Sequence, residues 1–190
     1  MKSLAACLFL LFFMQRSNAQ NDPAAVNFIR SVVEEKNVVY TDSLGYCDAA
    51  GMKKALSDEL AGHYEIMGNN VGIGSFHLTT QETNYIYSRL DLLGSSVWKP
   101  GILEKSTLIS KDTVTKIFHR SDIPGWTYFY QHYGMRLYSF GKPIFLRNNT
   151  ICIFYFGYGC GDLCGFGSLC IYIKENGCWK NKYTIYSWIS

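Results

Sequence analysis

Glycine and cysteine meet in one segment of this chain, and that is where chemistry is first sought. Gly157-Tyr158-Gly159-Cys160-Gly161-Asp162-Leu163-Cys164-Gly165-Phe166-Gly167 holds five glycines in eleven residues. Glycine adopts backbone conformations closed to other residues and permits close approach of a neighbour. Successive turns there can aim backbone N–H groups at an anion. The segment reads as a loop joining two strands. Cys160 and Cys164 can bridge to each other, or each to a cysteine on a strand. Zinc would need further Cys or His at matching spacing, and none of His63, His77, His119 and His132 lies near in sequence. The pair is not the Cys-x-x-Cys of thioredoxin-like catalysts, and no βαβ unit surrounds it. A structural disulfide is the favoured reading. Asp162 is the acid of most interest in the segment, against a plain role as a turn residue.

Other signatures are missing. There is no Gly-x-Ser-x-Gly elbow, and Gly72 to Ser75 lacks the strand-to-helix frame one needs. No His-Glu-x-x-His pair, phosphate loop or dinucleotide fingerprint is present. Glu34-Glu35 and Asp58-Glu59 read as solvated helix faces. Aromatic side chains offer another chemistry. Tyr155, Tyr158, Phe166, Tyr172, Trp179 and Trp188 could line a stacking platform for a sugar, or serve only as sheet core and cross-strand pairs.

The N-terminus reads as an address. Lys2 precedes an apolar run, Leu4 to Met14, followed by Ser17-Asn18-Ala19. This is the pattern of a secretory signal cleaved after Ala19, too short for a membrane span. Leu4-Ala5-Ala6-Cys7 resembles a lipidation box, but no apolar region precedes it, so lipoprotein anchoring at Cys7 is not expected. Cleavage would remove Lys2 and Arg16 and no acid, leaving 16 basic and 15 acidic side chains. Such a balance argues against a nucleic-acid partner. No second apolar stretch is long enough for a membrane helix. Six cysteines would remain: Cys47, Cys152, Cys160, Cys164, Cys170 and Cys178. An even number in an exported chain makes all six disulfide candidates.

Elements must position these groups. Asp22-Pro23 opens a helix over 20–36. Met52, Leu56 and Leu60 suggest a second over 45–63, and Gly68 to Gly74 a loop. Thr79-x-x-Glu82 fits a capping box for a helix closed by Gly94. Ser110 caps a shorter one, and 123–133 form an aromatic one closed at Gly134. From Arg136 onward, 137–140, 144–146, 150–158, 169–174 and 179–188 read as strands. Asn148-Asn149 and Glu175-Asn176-Gly177 make the turns. The whole predicts one α+β domain over 20–190. Its mainly helical part, 20–134, packs on a C-terminal antiparallel meander, 135–190. Residues 123–190 carry 18 of the 30 aromatics, so the sheet should have aromatic faces.

Several segments together resemble a group of uncharacterised secreted proteins from Bacteroidetes-type bacteria. They are Trp126-x-x-Phe129-Tyr130-x-x-Tyr133, Tyr138-Ser139-Phe140-Gly141-Lys142-Pro143-Ile144-Phe145, the Cys-Gly-x-Leu-Cys-Gly-x-Gly segment, Lys174-Glu175-Asn176-Gly177-x-Trp179-Lys180 and Trp188-Ile189-Ser190. The resemblance covers about residues 79–190, and Cys47, Cys152, Cys170 and Cys178 look like additions to the pattern. It implies a bacterial exported location, periplasmic or secreted, and brings no activity with it. The sequence thus leads to two expectations. One is a non-catalytic envelope module binding a small ligand, glycan or envelope protein near Tyr158, Asp162, Phe166, Tyr172 and Trp179, with no cofactor implied. The other is an envelope hydrolase with a base such as His119 or His132 set deep beside a carboxylate.

Overall fold

The computed structural model describes residues 21–45, 47–60 and 77–190. The signal segment, Cys7, His63 and the Gly68–Gly74 stretch lie outside them. Among the described residues, five α-helices and a seven-stranded, mostly antiparallel sheet make an α+β fold. Among the described residues no helix is long and apolar enough to cross a membrane.

Helix α1 (Pro23–Val32) begins where the Asp22 carboxylate accepts from the Ala24 amide at 3.0 Å, with Pro23 in the first turn. It ends at Val33, whose backbone is extended, earlier than the sequence suggested. Two adjacent β-branched residues there favour the extended state. Strand β1 (Val39–Thr41) follows, then α2 (Ala49–Leu60) and α3 (Thr80–Asp91). The α3 capping box forms as predicted, with Glu82 and Thr79 serving each other's amides. Strand β2 (Thr107–Ile109), α4 (Lys111–Phe118) and α5 (Gly125–His132) lead into the sheet proper. That sheet comprises β3 (Leu137–Phe140), β4 (Ile144–Leu146), β5 (Ile151–Gly161), β6 (Cys164–Glu175) and β7 (Cys178–Ile189).

The sheet order is β2-β1-β3-β5-β6-β7, with β4 paired to β5. The sequence did not foresee β1 and β2. Each is three residues long, and they add a parallel edge to the meander, β1 lying parallel to both β2 and β3. The glycine segment is also corrected. It is not a loop: β5 runs on through Gly161 and β6 begins at Cys164, so only Asp162-Leu163 turns. Gly157 pairs with Gly167 and Gly159 with Gly165.

Both faces of the sheet are covered. On one, Phe28 of α1 meets Phe145, Phe154, Tyr172 and Trp179 edge-on, with centroids 5.1–5.8 Å apart. Trp98 also belongs to this cluster, its indole N–H donating to the Phe140 carbonyl at 2.7 Å. On the other face, Met52 and Leu56 of α2 and Ile86 and Leu90 of α3 pack with Ile144, Ile153, Leu169 and Ile171. At the β1 end, Ile117 of α4 and Phe129 of α5 close over Val39 and Ile109.

The four paired glycines lie on this second face, one at every other residue along β5 and β6. A Cβ on Gly167 would lie 2.2 Å from Trp188 Nε1 and 2.6 Å from Tyr155 Oη; one on Gly159 would lie 3.1 Å from the Trp126 ring. At Gly159, Gly165 and Gly167 a tryptophan ring sits too close to the strand for a side chain, and at Gly157 the facing backbone does. Gly167→Ala should therefore cost about 1–3 kcal/mol through overpacking. Gly45→Ala, with nothing within 4 Å of the added carbon, should stay within about 0.5 kcal/mol of the parent. Chemical denaturation of both variants checks this; equal stabilities would refute the close approach of Trp188.

Arg147 ties α3 to the β4–β5 turn. Its Nε donates to Glu82 Oε1 at 2.7 Å and its Nη2 to Glu82 Oε2 at 3.0 Å and to the His77 carbonyl at 2.6 Å. The Arg147 hydrogen bonds, followed by the Thr79 amide, lower the Glu82 pKa from 4.5 to about 2. A lowered folded-state pKa stabilises above the unfolded value, and that stabilisation disappears as pH falls towards 2. Glu82→Gln should lower the melting temperature at pH 7 and have little effect near pH 2. Parallel melting curves across that range measure the convergence.

Candidate functional site

Alternation along β3 and β5 builds the first concavity. Tyr138, Phe140, Phe154 and Phe156 project from one sheet face, the face α1 covers. Consecutive rings in the series Tyr138–Phe140–Phe154–Phe156 lie 6.1–6.4 Å apart and within 15° of parallel. Helix α1 stops before it covers the whole row. Between its C-terminal end and the rings lies a cavity of about 260 Å³, bounded by Val32 and Val33 on the helix side and by these rings and Tyr172 on the other. Glu34 and Glu35 stand at its edge.

The two carboxylates differ. Glu35 accepts a hydrogen bond from Tyr138 Oη and pairs with Arg136 Nη1 at 3.1 Å. The Arg136 guanidinium also sits 4.8 Å above the Tyr158 ring centre. Burial, then the hydrogen bond to Glu35, pushes the Tyr138 hydroxyl up to about 12, so it remains a donor at neutral pH. Burial raises the Tyr172 pKa as well, with Cys170 and Cys152 adding to it. Glu34 is exposed and makes no hydrogen bond or ion pair with the described residues. The arrangement is an apolar slot walled by aromatic rings, with one uncommitted negative charge at its mouth.

The residues expected to form a site are dispersed in a regular way. Tyr172 lines the slot. Tyr158 and Phe166 meet with centroids 5.8 Å apart and continue the aromatic row beyond it, Phe166 also lying 5.7 Å from Phe156. Trp179 packs 5.1 Å from Phe28 beneath α1. Asp162 is exposed at the hairpin tip beside Leu163, which is 89% exposed, away from the slot. Tyr155 and Trp188 lie on the opposite face. Sequence reasoning missed Tyr138, Phe140, Phe154 and Phe156, although the spacings Tyr138-x-Phe140 and Phe154-x-Phe156-x-Tyr158 place them on one face. It read Glu34-Glu35 as part of a helix, whereas the helix ends before them.

No known protein-family model matches the chain, and no curated protein or solved structure is similar to it.

His77, His119 and His132 are exposed. The ring Nδ1 of His119 donates to the Thr115 carbonyl at 2.9 Å and that of His132 to the Tyr128 carbonyl at 2.8 Å, each within its own helix. None of the three has a carboxylate partner among the described residues.

Of the six cysteines considered for bridges, Cys160 and Cys164 are joined, with Cα atoms 5.0 Å apart, across the β5–β6 hairpin. Tyr130 Oη donates to the Cys160 carbonyl at 2.5 Å, so α5 holds this tip. Cys47, Cys152, Cys170 and Cys178 are free thiols here. The register explains part of this: Cys152 faces Tyr172 and Cys170 faces Phe154, so the two are offset along the hairpin. Burial pushes the Cys152 thiol pKa far up. Burial, then the Asp48 charge, raises that of Cys47. Under native conditions, alkylation read by mass spectrometry should modify exposed Cys178 first and buried Cys152 and Cys170 only after unfolding. Early modification of Cys152 would contradict this packing.

Proposed function

We propose that this protein is an exported, non-catalytic binding module that takes a small apolar ligand bearing a positive group into the slot between α1 and the sheet. The observation carrying this reading is the pairing of the aromatic row with Glu34 at its mouth. Ring faces carry negative quadrupole potential and attract cations, most strongly where water is displaced. A neutral apolar ligand would gain the burial but not the charge. An anion would meet Glu34 and the ring faces, both unfavourable. The signal-like N-terminus and the resemblance to secreted bacterial proteins support an envelope or extracellular setting. The hydrolase alternative needs a histidine set deep beside a carboxylate, and none of His77, His119 and His132 is so placed.

Isothermal titration with choline and with its neutral isostere 3,3-dimethylbutan-1-ol tests the proposal. Choline should bind at least about fivefold more tightly, the equivalent of about 1 kcal/mol for an exposed cation–π contact. Glu34→Gln should narrow that preference, and Phe156→Ala should weaken binding of both compounds. Equal affinity for cation and isostere, or no binding of either, would overturn the reading.

A further inference from the structure

The opposite face of the same hairpin carries a second concavity, about 270 Å³ in volume. Gly159, beside the Trp126 ring, and Trp188 both line it. The indole rests on strand β6: a Cβ on Gly165 would come within 3.0 Å of its ring, and one on Gly167 within 2.2 Å of Nε1. Its N–H donates to Tyr155 Oη at 3.0 Å, which fixes the plane of the ring. Held by these contacts, the indole borders the groove.

The polar lining is of one kind. Thr41 of β1, Ser139 of β3 and Thr115 of α4 bring hydroxyls to the groove, and Lys111 brings an ammonium group. The hydroxyls of Thr41, Ser139 and Thr115 have no hydrogen-bond partner among the described residues, and Lys111 Nζ has no ion pair there. Among the described residues no carboxylate lines the groove. A wholly apolar ligand would strip water from these hydroxyls without replacing its hydrogen bonds, at a cost for each group. A flat aromatic ligand could stack on Trp188 but would have few hydroxyls to exchange with the floor. A pyranose satisfies both demands: its C–H face packs on an aromatic plane, and its hydroxyls donate and accept around the rim. The volume, near the lower end of ligand pockets, suits a single ring rather than a long chain.

We propose that this groove is a saccharide site that binds one pyranose ring, stacked on Trp188 and hydrogen-bonded by Thr41, Ser139, Thr115 and Lys111. It lies across the sheet from the α1 slot and does not depend on the reading of that slot.

Saturation-transfer NMR on the full chain, with a panel of neutral, N-acetylated and uronic methyl pyranosides, tests it. At least one pyranoside should receive saturation on its ring C–H protons. Trp188→Ala should weaken that binding about tenfold or more, and Trp188→Phe should restore part of it. Ser139→Val should weaken it about fivefold, whereas Phe156→Ala on the other face should leave it unchanged. If Trp188→Ala does not fold, Ser139→Val and Thr115→Val carry the test. Absence of binding across the panel would overturn the proposal. So would binding that survives the groove substitutions in folded protein, or that is lost with Phe156→Ala.

Discussion

The pairing of β5 with β6 is the interaction on which the rest of the structure depends. Its register runs from Ile151–Ile173 at one end to Gly161–Cys164 at the other, with one irregularity between Gly159 and Gly161. Strands β3 and β4 attach to one side of this hairpin and β7 to the other. Each helical layer packs on residues the hairpin presents: α1 on Phe154 and Tyr172, α2 and α3 on Ile153, Leu169 and Ile171. A backbone ladder buried on both faces must satisfy its own polar groups, and here it also fixes which side chains share a face.

That division has consequences near the turn. In β5, positions 154, 156 and 158 are aromatic, while 157 and 159 are glycine. One face of the strand therefore carries ring after ring and the other carries almost no side chain. The bare face is filled from elsewhere in the chain, by Trp126 of α5 over Gly159 and by Trp188 of β7 over Gly165 and Gly167. The Cys160–Cys164 bridge closes the tip, and Tyr130 anchors it. A bridge across so short a loop contributes only about 2 kcal/mol in the chain-entropy account, so its main effect is to hold the register next to the glycines. Two concavities follow from this one alternation. The slot under the end of α1 is aromatic and acid-edged. The groove under α4 is bordered by Trp188 and lined with hydroxyls.

Much of the fold was legible in the sequence because its signals are local. The Thr79–Glu82 capping box, the Asp22-Pro23 start, the Ser110 cap and the turns at Asn148-Asn149 and Glu175-Asn176-Gly177 each depend on a few neighbouring residues. Strands β1 and β2 were not legible, since three residues are too few to show alternation and parallel pairing needs a distant partner. The glycine segment was misjudged as a loop because glycine weakens strands, although its glycines at 157, 159, 165 and 167 keep strand periodicity on both sides of the turn. The same reasoning applies to the site. Tyr172, Tyr158 and Phe166 could be singled out by type, but their separation from Tyr155 and Trp188 required the face of each strand. Glu34 reached the slot only because α1 ends early, a boundary set by Val32 and Val33 rather than by a cap.

The central claim is that the β5–β6 ladder organises both faces, and its relative stability is directly measurable. Native-state hydrogen exchange orders the amides by the free energy of the opening that exposes them. Amides of residues 151–157 and 167–173 should exchange last, through global unfolding, with α1, α4 and α5 opening earlier. Slowest exchange in a helical layer, with β5 and β6 opening before it, would contradict the claim.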